Sequence, residues 1–204
     1  MSKVTDPNDD VDGESIAAVD DSGETAVLVV DDQESVADLY TEFLEDVYRV
    51  ETAYGGEEAL AIVDDDFDVV LLDRRMPGIN GDAVLEEIRA CGIDARVAMV
   101  TAVEPDEALL DLGFDDYVLK PIIQEELHDA VERLRLLSEY RSVRGELGSL
   151  RVKRNVLGVE VPGQLRSGSE EFRRLERDIA NLERRLAAIE AELQETRLAA
   201  AIGG

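Results

Sequence analysis

A strict alternation of five strand candidates with helical repeats constrains this chain more than any other feature. Ala26 to Val30 (AVLVV) is apolar throughout, the pattern of a strand covered on both faces. Asp31 and Asp32 follow, and Val36, Leu39, Tyr40, Phe43 and Leu44 then recur at helical spacing. Further strands are predicted from Tyr48 to Ala53, Val69 to Leu72, Arg96 to Val100 and Tyr117 to Leu119. Helices are predicted at 56–63, 81–90, about 105–111, and from Ile123 onward. Five such units within about 110 residues predict an α/β fold, a doubly wound five-stranded parallel sheet with short connections. Ligands of such sheets sit beyond the carboxyl ends of the strands, which is where the search for chemistry begins.

The fifth helix has no clear stop, because Leu127, Val131, Leu134, Leu137 and Tyr140 carry an apolar stripe out of the domain. Residues 151–169, with Gly158, Pro162, Gly163 and Gly168, predict a loop containing a short strand at 156–161. Ser169 then caps a last helix, 170–200, in which Phe172, Leu175, Ile179, Leu182, Leu186, Ile189 and Leu193 follow an unbroken 3-4 spacing. That seam requires a partner helix, either the extension 123–150 folded back as a hairpin or the same helix of a second chain in a homodimer through 170–200. For a parallel dimer, attraction of Arg185 to Glu190 and Glu192 to Arg197 is offset by Glu171 facing Glu176 and Asp178 facing Glu183, which leaves orientation open. The organisation is thus an acidic disordered tail over 1–25, an α/β domain over 26–136 and a helical segment over 137–204.

Charge narrows the function classes. Residues 1–133 hold 37 acidic and 8 basic side chains, whereas 134–204 hold 11 and 13, within a total of -27. A field that negative repels phosphate backbones, so the first two-thirds is not expected to bind nucleic acid without specificity. Dense carboxylates instead fit a salt-adapted, halophilic cytoplasm, where salt screens their repulsion. The lone Cys91 forms no internal disulfide, no apolar run reaches membrane-spanning length, and the N-terminus lacks a signal pattern. A cytoplasmic protein without membrane association is expected.

The strand ends carry the polar groups. Asp31 and Asp32 follow the first strand, Asp73 the third, Thr101 ends the fourth, and Lys120 follows the fifth, just before Pro121. Three converging carboxylates favour a hard divalent cation such as magnesium, and no Cys or His lies near for a softer metal. A carboxylate beside such a cation, with an ammonium and a hydroxyl at hand, is equipped to attack phosphorus, giving an aspartyl phosphate. Pro121 invites a cis peptide bond that would aim Lys120 into the site.

The segments VLVVDDQ (27–33), VVLLDRRMPGINGDAVLEEIR (69–89), MVTA (99–102) and DDYVLKP (115–121) resemble those of response-regulator receiver domains of two-component systems. The resemblance implies the flavodoxin-like receiver fold. It makes Asp73 the phosphoacceptor, with magnesium held by Asp32, Asp73 and the Arg75 backbone carbonyl and, through water, by Asp31. It gives Thr101 and Lys120 contacts to the phosphoryl group, and Tyr117 the place of the switch aromatic that swings inward as Thr101 moves. It implies a phosphoprotein that is no enzyme beyond magnesium-dependent self-phosphorylation from the phosphohistidine of a sensor histidine kinase, and slow autodephosphorylation. Arg75 and Val103 stand at positions that tune phosphate lifetime in the family. The interval from Thr101 to Lys120 is about one turn shorter than usual, which predicts a truncated fourth helix. The C-terminal layout resembles the HalX-type regulators of salt-loving archaea, which implies output through 137–204, with transcription regulation and DNA binding as one option and protein contacts, as an adaptor, as another.

Each motif alone has a plainer reading: a helix cap for Asp32, an ordinary strand residue for Thr101, a core aromatic for Tyr117, a strand end for Lys120-Pro121. Their joint order favours the site. His128 is read as a surface residue, so the phosphoryl donor must come from another molecule. Arg173, Arg174, Arg177 and Arg184 could face DNA phosphates, but Glu176 and Glu183 between them point to a solvated, salt-bridged surface. An aspartyl phosphatase of the haloacid dehalogenase kind needs a second acid two residues after its nucleophile, where this chain has Gln33 after Asp31.

Overall fold

The computed structural model describes residues 25–102, 112–160 and 170–202. Strands β1 (Ala26–Val30), β2 (Arg49–Ala53), β3 (Val69–Leu72), β4 (Arg96–Thr101) and β5 (Asp116–Leu119) pair in parallel in the order β2-β1-β3-β4-β5. Helices α1 (Glu34–Leu44), α2 (Gly56–Ile62) and α3 (Gly81–Ala90) connect them, and α4 (Gln124–Glu160) and α5 (Glu170–Ile202) follow. Predicted strands and helices up to residue 101 are recovered within a residue or two. The predicted tail over 1–24, the helix at 105–111, Val103, residues 161–169 and the Ser169 cap lie outside the described residues.

β1, β3 and β4 are buried along their whole length, as their continuous apolar runs require. One face of the sheet packs Leu28, Val30, Val70, Leu72, Val97 and Met99 against Val84, Leu85 and Ile88 of α3. The opposite face packs Val27, Val29, Val69, Leu71, Ala98 and Val100 against Tyr40 and Leu44 of α1 and Leu127, Val131 and Leu134 of α4. Each such aliphatic side chain contributes about 1.5–3 kcal/mol when taken fully out of water. α3 starts where the Asn80 side chain accepts the Ala83 N–H at 2.9 Å.

The expected loop with a strand at 156–161 is overturned for residues 151–160, which continue α4 as helix. Arg151, Lys153, Arg154 and Leu157 are good helix formers, and a mid-helix glycine costs only about 1 kcal/mol, so Gly158 does not stop a helix supported elsewhere by packing. That support comes from α5. Leu136 and Val143 of α4 and Ile189 of α5 are buried together, with Tyr140, Leu182, Leu186 and Leu193 packed around them. Arg185 Nε donates to Glu139 at 2.8 Å, the Tyr140 hydroxyl to Glu190 at 3.2 Å and Arg151 to Glu183 at 2.9 Å, so the two helices run antiparallel. Of the two partners open to the seam, the chain's own α4 covers it here, and Arg185 turns to Glu139 rather than to an acid of α5. The hairpin is anchored to the sheet because α4 is one continuous helix, with Arg141 on Asp94 at 2.9 Å where β4 begins.

Candidate functional site

Parallel register brings the chemistry to one edge. Val30 pairs with Ala53 and Leu72, Leu72 with Met99, and Thr101 with Leu119, so the carboxyl ends of the strands lie side by side. The ladder extends one residue further: Asp31 N–H donates to Ala53 O, Asp73 N–H to Val30 O, and Lys120 N–H to Thr101 O. These bonds hold the three side chains at one level above the sheet. Lys120 is joined to Pro121 by a cis peptide bond, as anticipated.

Lys120 Nζ donates to Asp31 Oδ2 at 2.5 Å and to Asp73 Oδ1 at 3.0 Å, bridging two carboxylates only 2% and 6% exposed. The other oxygens are also held: Asp31 Oδ1 accepts Gln33 N–H at 3.0 Å, and Asp73 Oδ2 accepts Arg75 N–H at 3.0 Å. Asp31, Asp32 and Asp73 each offer a carboxylate oxygen within 4.8 Å of the others, with Asp32 the more exposed member. Three hard oxygen donors with no nitrogen or sulfur among them suit magnesium. Thr101 is buried beside them at the end of β4.

Burial raises the pKa of Asp73, and the nearby Asp31 charge raises it further, against the lowering pull of Lys120 and of the Arg75 N–H. Burial alone would lower Lys120, but hydrogen bonds and charge from Asp31 and Asp73 outweigh it and hold the ammonium protonated. Among the described residues the site is an over-supplied anionic pocket in which Lys120 bridges two of the three carboxylates, arranged to gain from a further cation.

Gly81 belongs to the site although it bears no side chain. A Cβ there would sit 2.3 Å from Asp73 O and 2.9 Å from Arg74 Cα, so only glycine lets α3 start against the β3 turn. Arg74 Nε donates to both Asp82 oxygens, at 3.0 and 3.2 Å, closing the turn from its far side. Arg75 is exposed on the cleft that Asp32, Met76 and Asn80 also line.

Tyr117 is half-buried in β5, its ring 5.8 Å from that of Phe114. His128 is half-buried, neither enclosed nor fully exposed, with its ring 5.7 Å from that of Tyr48 just before β2. Arg173, Arg174, Arg177 and Arg184 are exposed on α5, and Arg184 bonds Asn181. Sequence reasoning missed two networks. Asp115 accepts from Arg96 at 2.8 Å, from Arg89 at 2.8 Å and from Val97 N–H at 2.9 Å, tying β5 to β4 and α3. Its neighbour Asp116 accepts two bonds from Arg133 of α4, at 2.7 and 3.1 Å. The DD pair before the strand was the available signal, but its arginines lie 17 to 26 residues away in the chain.

Comparison with known proteins agrees with this geometry. The family model of the response regulator receiver domain matches residues 27–132, and that of the HalX domain matches 136–202. A Haloferax volcanii protein, whose name marks it as a proposed transcriptional regulator, is 53% identical over 122 residues, 59% of this chain and 21% of that protein. The response regulator SaeR of Staphylococcus aureus is 34% identical over 107 residues, 50% of this chain and 47% of its own length. The chain thus spans less than half the length of these curated relatives. A CheY-like receiver domain protein from Methanospirillum hungatei superposes with a TM-score of 0.54 at 27% identity, over 57% of this chain and 97% of that one. The BeF3-activated DrrB receiver domain gives 0.50 at 32%, over 54% and 97%. With the parallel five-stranded sheet, the acid cluster and the lysine all in place, the chain belongs to the response regulator receiver domain family and carries a HalX domain after its receiver.

Proposed function

We propose that Asp73 accepts a phosphoryl group from the phosphohistidine of a sensor histidine kinase and that the helical hairpin transmits the change. The observation that carries this is the Lys120 bridge to Asp31 and Asp73 inside a three-carboxylate cluster. An Asp73 oxygen attacks phosphorus, the P–N bond of the donor breaks, and its electron pair stays on the imidazole nitrogen. Asp31, Asp32, Asp73 and the Arg75 carbonyl would hold magnesium, which supplies charge neutralisation for the phosphoryl oxygens. Lys120 leaves Asp73 for the new phosphoryl oxygens, and the Thr101 hydroxyl donates to them. The added negative charge then biases a two-state arrangement of Thr101 and Tyr117.

β5 carries Tyr117 and, one residue earlier, Asp116, which holds Arg133 of α4. A shift of Tyr117 therefore has a short mechanical route to the hairpin. Among the described residues no helix is long and apolar enough to cross a membrane. Regulation of transcription is the output we favour, from the Haloferax volcanii relative, whether through DNA binding by 137–204 or through self-association of the hairpins as a homodimer.

Intact-mass measurement after a small acyl phosphate and magnesium tests the phosphoacceptor: one phosphoryl group is expected on the parent and none on Asp73→Asn. Incorporation that persists in the variant removes Asp73 from the role. Titrating duplex DNA across a salt series tests the output, where a log–log slope near zero would leave protein contacts as the output.

A further inference from the structure

α4 presents two faces, and only one is used by α5. Leu136, Tyr140 and Val143 point to α5. Half a turn away, Gly145, Ser149, Val152 and Val156 recur at spacings of four, three and four, and all are exposed, Val152 at 62% and Val156 at 51%. A Cβ added at Gly145 or Gly148 would meet nothing within 4 Å. Two mid-helix glycines cost about 1 kcal/mol each relative to alanine, and no packing within the described chain accounts for them.

The flanks of this face are basic. Arg141, Arg144, Arg151 and Lys153 stand against the single acid Glu146, in a chain of net charge -27. Arg141 is engaged with Asp94 and Arg151 with Glu183, whereas Arg144 and Lys153 have no carboxylate partner among the described residues. A second copy of the same face would set these cations against one another. A nucleic acid would match the charge but leave the valines wet.

One part of the chain complements both features. Residues 1–24 contain eight carboxylates and one lysine, with an apolar cluster at Ile16, Ala17, Ala18 and Val19. They precede β1, whose first residues lie on the same edge of the sheet as Asp94, where Arg141 crosses. Val152 and Val156 lie 11 and 15 residues beyond Arg141, about 16–22 Å along a helix, and β1 and β4 are two strand spacings apart, about 10 Å. The 7 to 10 residues from Ala26 back to Val19 and Ile16 span up to about 23–33 Å. The reach is sufficient, and the acidic surface of the receiver repels the segment from the alternative course.

We propose that the acidic N-terminal segment docks along the outer face of α4, its carboxylates on Arg144 and Lys153 and Ile16–Val19 over Val152 and Val156. The chain has only three lysines, Lys3, Lys120 and Lys153, and Lys120 is occupied in the acidic site, so Lys153 is a selective handle. Carbodiimide coupling of the full chain at low salt, with isotope-mixed protein to separate bonds within a chain from bonds between chains, should join Lys153 to acids of residues 6–21 of its own chain. The bond should disappear in Lys153→Gln and fade severalfold by 1 M salt, as screening predicts. Removing residues 2–24 should raise amide exchange over 144–156 severalfold, and Val152→Asp/Val156→Asp in the full chain should do the same. Coupling confined to acids of the hairpin or of a second chain, or exchange unchanged by the deletion, overturns the proposal. So would protection of this face by duplex DNA to the same degree with and without residues 2–24.

Discussion

Replacing Lys120 by methionine is the sharpest probe of the acid site. The substitution keeps most of the side-chain volume and removes the one cation lying 2.5 Å from Asp31 and 3.0 Å from Asp73. Both carboxylates are nearly inaccessible to water, so their repulsion is relieved chiefly by taking up a proton. Protonating a carboxyl of ordinary pKa near 3.9 costs about 4 kcal/mol at pH 7 and about 1.5 kcal/mol at pH 5, which bounds the loss. That bound agrees with the roughly 3–5 kcal/mol measured when a buried pair loses one partner. For a chain of 204 residues this corresponds to a drop in Tm of roughly 10 °C. The sign of the pH dependence follows. In the variant Asp73, already raised by burial and by the Asp31 charge, loses the lowering pull of Lys120, so the native state is favoured below about pH 4 and loses ground as pH rises through the folded pKa of Asp73. The variant should therefore be closest to the parent at pH 5 and furthest from it at pH 8, and millimolar magnesium should restore much of the difference. Chemical denaturation at pH 5, 7 and 8, with and without magnesium, measures this. A loss that is the same at every pH and indifferent to magnesium would mean that Lys120 acts through its alkyl stem, and the electrostatic account of the site would fail.

Asp73→Asn should stabilise the metal-free protein at pH 7, because burial raises the Asp73 pKa and ionisation there opposes folding; by the same sign the gain should vanish below about pH 4 in thermal melts. Gly81→Val should lower stability and blunt phosphoryl incorporation together, since its Cβ would lie 2.3 Å from Asp73 O, whereas a variant that melts and reacts like the parent would refute the close approach. Asp115→Ala leaves Arg89 its bonds to Gly113 O and Ala95 O but leaves Arg96 only Asp94 at 3.9 Å, and should cost about 3 kcal/mol by denaturant titration, far more than an exposed aspartate would. Ile189→Ala should cost about 2–4 kcal/mol, seen as faster amide exchange in α5 with the sheet unaffected; equal loosening of both would mean the hairpin and receiver open as one unit.

Much of the receiver was legible without coordinates because its signals are local. A fully apolar strand, an abrupt acid or lysine at its end and a helical repeat can each be read in a window of ten residues. The parallel arrangement then forces Asp31, Asp73 and Lys120 to the same edge, so the acid site followed from topology. The Asp115 and Asp116 networks were not legible, because an arginine's partner depends on which strand lies beside it. The loop expected at 151–160 failed for a related reason: glycine propensity is a penalty of about 1 kcal/mol, and a packed seam overrides it.

By itself the sequence determined the element order, the chemistry at the strand ends and the need of the last helix for a partner, since each is written in contiguous or periodic side chains. Only the tertiary structure decided that α4 runs unbroken to Glu160, that it supplies this partner itself, and that its opposite face is covered by none of the other described residues. Those outcomes turn on which surfaces meet across tens of residues, and the free energy of that meeting is a property of the assembled fold rather than of any segment in it.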